Sequence, residues 1–242
     1  MSRRRWSRLL LGTLGTWLIP TFLLAGTTGS STFAGSLKWA RLKTASPSWD
    51  RHARADSRML RFIRENTSLE IEPRWYAADV QKLDQMCGFP FLFSEGLHHV
   101  TDPTGLANLR EYFKRHGFIF IDACINTRDV NPDPDAFLQK EIETLQCLLP
   151  DATIKRLPDD HEIFHLWFPM KDGLPHTYVD DRYNPAWARH GLYAVYSDHR
   201  LVSLISLSGL QCGWDWAHHP HDHTVSCEKM MLNIYAYVAM RS

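Results

Sequence analysis

Between residues 89 and 124 the chain alternates twice between apolar runs and a helical period. Residues 89–93 (FPFLF) form a short apolar run. Asp102 and Pro103 then supply a helix N-cap and a first-turn proline. Leu106, Leu109 and Phe113 fall on one helical face, with Arg110, Glu111, Lys114 and Arg115 on the other. Gly117 is the expected helix stop, and residues 118–121 (FIFI) are a second unbroken apolar run. Unbroken runs suit strands covered on both faces, so this unit predicts a parallel strand–helix–strand inside an α/β sheet. Ser94, Glu95, His98 and His99 follow its first strand, and Asp122 and Cys124 end the second. In an open α/β sheet that C-terminal edge is where ligands bind.

The flanking patterns extend the sheet. Residues 37–42 (LKWARL) predict a first strand, and residues 53–66 a helix with Met59, Leu60, Phe62 and Ile63 inward. Arg54, Arg58, Arg61 and Arg64 would form its solvated face. Residues 69–71 begin a short strand, followed by a helical turn around residues 80–86. After a polar loop at 125–134, Asp135 is expected to cap a helix with Leu138, Ile142, Leu145 and Leu149 inward, ended by Pro150. Residues 153–157, 191–196 and 201–207 predict further strands, the last two as partners, and residues 224–240 a buried helix. Residues 169–190 are irregular, and a loop of that length is expected to be functional. No internal repeat or linker breaks this order, so residues 35–242 are expected to form a single domain.

Composition changes the picture at one end only. Hydrophobic residues make up 44% and charged residues 22% of 242 residues, which is ordinary for a globular protein. Basic and acidic residues both number 27, but Arg3, Arg4, Arg5 and Arg8 stand in a stretch of 34 residues that lacks acids. The remainder is mildly acidic, which argues against nucleic acid as a partner. Those arginines precede an apolar stretch at 9–26, and Thr32-Phe33-Ala34 offers a cleavage site. Residues 1–34 therefore predict a signal peptide, or a membrane anchor if uncleaved, with a start that resembles a twin-arginine signal. The expected location is the periplasm or cell envelope.

Several segments carry candidate chemistry. Glu95, His98, Asp122 and Cys124 share the ligand edge, where a carboxylate with a nearby His suits acid–base work and a thiol lowered by His suits nucleophilic attack. His161-Glu162-Ile163-Phe164-His165 matches the H-E-x-x-H zinc signature, but the chain supplies no third ligand at the required spacing. Residues 218–223 (HHPHDH) form a histidine tract suited to adventitious metal, and Pro220 breaks its spacing. No resident metal or cofactor is expected. Tyr178, Tyr183, Trp187, Trp214 and Trp216 are candidates for a sugar-facing surface, though most should be packing. The five cysteines, Cys87, Cys124, Cys147, Cys212 and Cys227, form no C-x-x-C.

Taken together, Pro90-Phe91-Leu92-Phe93-Ser94, Gly117-Phe118-Ile119-Phe120-Ile121-Asp122, the segment from Pro158 to His165, Cys212-Gly213-Trp214 and Asn233-Ile234 resemble a bacterial domain-of-unknown-function family, number 4159. The resemblance implies a three-layer flavodoxin-like fold, mostly parallel with helices on both faces. It also implies kinship with class I glutamine amidotransferase-like and trehalose-utilisation-like domains. Those amidotransferases place a nucleophilic Cys after a central strand; here Asp122 holds that position and Cys124 is offset. Glu162 stands where the family has Pro, so the zinc signature reads as accidental.

The expectation is an exported envelope domain that binds a small polar or carbohydrate ligand. Glu95, His98, His165, Trp214 and Asp215 would contact the ligand, with Asp122, His161 and Cys124 as candidate catalytic groups. The alternatives are a hydrolase using Cys124 or Asp122 with a His, and a non-catalytic interaction module. No nucleic-acid partner is expected, and membrane association only through an uncleaved N-terminal segment.

Overall fold

The computed structural model describes residues 37–123, 125, 133–175, 190–215 and 221–240. Its strands are β1 (Leu37–Lys43), β2 (Ile71–Asp79), β3 (Phe91–Ser94), β4 (Phe118–Asp122), β5 (Thr153–Arg156), β6 (Leu192–Ser197) and β7 (Arg200–Ser206). Its helices are α1 (Asp56–Asn66), α2 (Leu83–Cys87), α3 (Pro103–Lys114), α4 (Pro134–Leu148), α5 (Leu210–Trp214) and α6 (His221–Ala239). The strands form one seven-stranded sheet in the order β2-β1-β3-β4-β7-β6-β5. Pairing is parallel from β2 through β7 and antiparallel at β6 and β5. This is an α/β fold with a mostly parallel sheet.

Strand alternation sorts the core into two layers. Trp39, Phe91, Phe93, Phe118 and Phe120 pack against Met59, Leu60 and Ile63 of α1 and the apolar side of α6. Ala40, Leu92, Ile119 and Ile121 point the other way, onto Leu109 and Phe113 of α3 and Leu138 and Leu145 of α4. Helices therefore cover both faces, as the unbroken apolar runs of β3 and β4 require.

The chain leaves β1 toward β2 on one side and returns to place β3 on the other. This reversal creates a switch point, where the chain leaves β1 and β3 for helices on opposite faces of the sheet, and the C-terminal edge at such a point is where open α/β sheets take ligands.

Local details depart from expectation in three places. Asp102 caps α3 as predicted, accepting from Gly105 N at 2.7 Å. However, the left-handed residue after that helix is His116 (φ 68), not Gly117. Gly117 is required for a different reason: a Cβ there would overlap the Tyr112 ring. Asp133, not Asp135, caps α4, accepting from Asp135 N at 2.9 Å and Ala136 N at 3.2 Å. β2 runs nine residues where the pattern marked only its start, because an edge strand with half-exposed faces carries no apolar run.

Candidate functional site

At this edge the strand ends are joined by a buried polar network built on Arg41. This arginine sits near the end of β1 on the same face as Trp39, and it is fully buried. Asp56, also fully buried, opens α1 and meets it two-pronged, Nε to Oδ2 at 2.6 Å and Nη2 to Oδ1 at 2.7 Å. Trp39 Nε1 donates to the same carboxylate at 3.0 Å. Arg41 Nη1 donates to the Arg51 carbonyl at 2.8 Å and to Gln211 Oε1 at 3.1 Å. Burying two charges costs several kcal/mol each unless their hydrogen bonds are satisfied. Here they are, and the Phe93 ring lies 4.5 Å below the guanidinium.

Gln211 carries the network across the strand ends. With its Oε1 committed to Arg41, its Nε2 faces the other way, donating to Glu95 Oε1 at 3.1 Å and Asp122 O at 3.0 Å. Its backbone N–H donates to Asp122 Oδ2 at 2.9 Å. One side chain thus ties the ends of β1, β3 and β4.

Two further side-chain contacts join the loops at this edge. Arg51 Nε lies 3.5 Å from Glu95 Oε1, and His52 Nδ1 lies 2.7 Å from Asp215 Oδ2. Their side chains are partly open to solvent, except Glu95, which is 7% exposed. His52 adopts a left-handed backbone (φ 58), an uncommon conformation outside glycine.

The loop after β3 is held from beneath. Glu141 of α4 is fully buried and accepts from Leu97 N at 2.9 Å and His98 N at 3.2 Å, while pairing with His98 Nδ1. Gly96 must stay side-chain-free here, because a Cβ would fall 2.9 Å from Glu141 Oε1 and 3.0 Å from the His98 ring. The His99 ring lies 3.9 Å from that of His98. Burial, reinforced by the charge on His98, holds the His99 pKa below its usual value.

Of the residues singled out in the sequence, Glu95, Asp122 and Asp215 come together at this edge. His98 shares the loop with Glu95 but is engaged by Glu141. Trp214 is fully buried, packed on Trp39 and Phe93 at 6.2 and 6.1 Å between ring centres, so it belongs to the core and not to a ligand surface. Cys124, Tyr178, Tyr183, Trp187 and Trp216 lie outside the described residues.

His161 and His165 are placed elsewhere. His161 precedes a single 3₁₀ turn (Glu162–Phe164), its Nδ1 accepting from Ile163 N, with its ring edge-on to Tyr237 at 5.7 Å. Tyr237 lines a cleft with Phe118 and Arg200, the first residues of β4 and β7, which is the opposite edge of the sheet from Asp122. His165 is exposed. The H-E-x-x-H segment is not an α-helix, so its two histidines are not stacked on one face. Among the described residues, no three His, Cys, Asp or Glu side chains converge as a metal site. Of the histidine tract, His223 contacts Cys227 Sγ at 3.6 Å. Burial, then the nearby Asp122 charge, pushes the Cys227 thiol far up, which makes it an inert core group.

The periodicity of the sequence contained signals for several residues that the reading missed. Asp56 is spaced three and four positions from Met59 and Leu60, and Glu141 three and four from Leu138 and Leu145. Both carboxylates therefore sit on the buried helix face. Arg41 is likewise a lone charge amid the buried positions of β1. Gln211, Arg51 and His52 carry no such mark. Residues 38–239 match the family model described as Domain of unknown function (DUF4159). No curated protein matches the chain.

Proposed function

The chain belongs to the DUF4159 family, and on that premise we propose that it binds a small polar or carbohydrate ligand in the switch-point crevice between the loops after β1 and β3. The observation that carries this reading is the network Asp56–Arg41–Gln211–Glu95, fully or nearly buried, whose members reach the ends of three neighbouring strands. Apolar packing of similar volume holds a sheet together at least as well as a buried charge network. A network of this kind, placed where open α/β sheets take ligands, suits a preorganised binding floor.

Binding is favoured over hydrolysis centred on Asp122. That carboxylate is fully buried, with Oδ2 held by the Gln211 backbone N–H. The strand order β2-β1-β3-β4-β7 supports kinship with the class I glutamine amidotransferase-like superfamily, whose flavodoxin-like sheet it matches. The arginine-led apolar segment at the N-terminus supports export to the cell envelope. Among the described residues no helix is long and apolar enough to cross a membrane.

Thermal unfolding of the purified chain against a panel of monosaccharides, polyols and amino acids tests the reading. At least one class is expected to raise the Tm of the native chain, and Glu95→Gln is expected to abolish that rise. A panel that leaves Tm unchanged throughout, or a rise that survives Glu95→Gln, contradicts it.

A further inference from the structure

We infer that the cleft at the N-terminal edge of the sheet is a second binding site, built for a small aromatic carboxylate; this goes beyond the reading above and does not rest on it. The cleft, of about 440 Å³, lies where β4 and β7 begin and α6 ends. Phe118, Tyr196 and Tyr237 supply aromatic surface, with Leu201 and Val238 beside them. The Tyr237 ring is braced edge-on by His161 at 5.7 Å between ring centres. A flat apolar body suits such a lining, because rings gain from both burial and stacking.

The polar side of the cleft is basic. Arg200, His116 and His199 stand there against one acid, Asp198. Arg200 Nη2 donates to the Phe113 carbonyl near the end of α3. A guanidinium carries five N–H donors in a planar fork, so most of that capacity is unspent. The unspent nitrogens are open to solvent and hence to a ligand. Both imidazoles are exposed, and among the described residues neither ring has a hydrogen-bond partner. Part burial works against the Arg200 charge and lowers its pKa, with nearby Asp198 opposing. An anion on the fork offsets the same cost. Asp198 repels a second negative charge, which favours a carboxylate over a doubly charged phosphate.

Backbone geometry marks the same place. Four non-glycine residues among those described have a left-handed backbone, and three of them, His116, Asp198 and His199, line this cleft. Glycine would hold those conformations without steric cost. Strain of this kind gathers at binding sites, where the chemistry of a side chain outweighs the ease of its backbone.

Calorimetric titration of the full chain with benzoate, acetate and benzyl alcohol tests the inference. Benzoate is expected to bind about 10-fold or more tightly than acetate, which lacks the ring, and than benzyl alcohol, which lacks the charge. Arg200→Gln is expected to weaken benzoate about 10-fold or more, with circular dichroism unchanged. His199→Gly is expected to weaken it about 3-fold or more while raising the Tm, so the loss is not one of folding. Glu95→Gln, at the opposite edge of the sheet, is expected to leave benzoate binding unchanged, which separates this site from the crevice. No heat with benzoate, benzyl alcohol or acetate binding as well as benzoate, or affinity that survives Arg200→Gln each overturns the inference. Benzoate binding lost in Glu95→Gln overturns it too, by moving the site to the crevice.

Discussion

Arg41 and Gln211 stand 170 positions apart in the chain and meet at 3.1 Å, guanidinium donor to amide oxygen. That contact fixes which way the Gln211 amide points, and the orientation in turn brings its Nε2 to Glu95 and Asp122. The end of β1 is thereby coupled to the ends of β3 and β4 through one side chain. Gln211→Leu keeps the volume and removes both ends of the link. It is expected to destabilise the fold by about 1–3 kcal/mol, because buried partners lose their hydrogen bonds. Urea unfolding measures this, and a change within about 0.5 kcal/mol, the range of a surface substitution, would show that the network is dispensable.

The Arg41–Asp56 pair makes a different kind of prediction. Arg41→Met and Asp56→Leu are each expected to cost about 3–5 kcal/mol, since each strands a buried charge. The double variant should recover most of that loss, because replacing both charges removes the stranded one. Additive losses in a double-mutant cycle would contradict the pairing.

His199 offers the opposite sign. It forms with Asp198 the two-residue turn between β6 and β7, with φ of 61 and 51, the left-handed pair that a type I′ turn demands. Asp-Gly fits such a turn without a Cβ penalty. His199→Gly is expected to stabilise the chain by about 0.5–1 kcal/mol, net of the entropy glycine adds to the unfolded chain. A lower Tm in that variant would mean the histidine makes contacts that outweigh the strain.

The central strands and helices were legible because burial on both faces leaves a plain mark: β3, α3 and β4 fall within a few residues of their predicted ends. β2 was mostly invisible because edge strands alternate without committing to one period. The candidate site was legible in its position and less so in its partners. Glu95, Asp122 and Asp215 follow predicted strand ends or the Cys212-Gly213-Trp214 motif, but their contacts come from Gln211, Arg51 and His52, brought in by the fold. His161 failed as a partner because its segment packs on α6 near Tyr237.

Acidity should act through His99. Its folded-state pKa lies below the 6.5 of the unfolded chain, with burial the first cause and His98 the second. Between those two values the unfolded chain holds more protons, so stability falls as pH drops below 6.5 toward the folded-state value. His99→Gln is expected to flatten that part of the stability curve, measured by urea midpoints at successive pH values. An unchanged slope would assign the effect to another group.

The crevice itself is tested most directly by amide chemical-shift mapping with whichever compound binds. The account predicts perturbations at residues 44–52, 94–99 and 211–215, on the loops after β1 and β3 and on α5. Perturbations confined to His116, His199, Arg200 and Tyr237, which line the cleft at the opposite edge of the sheet, would contradict it.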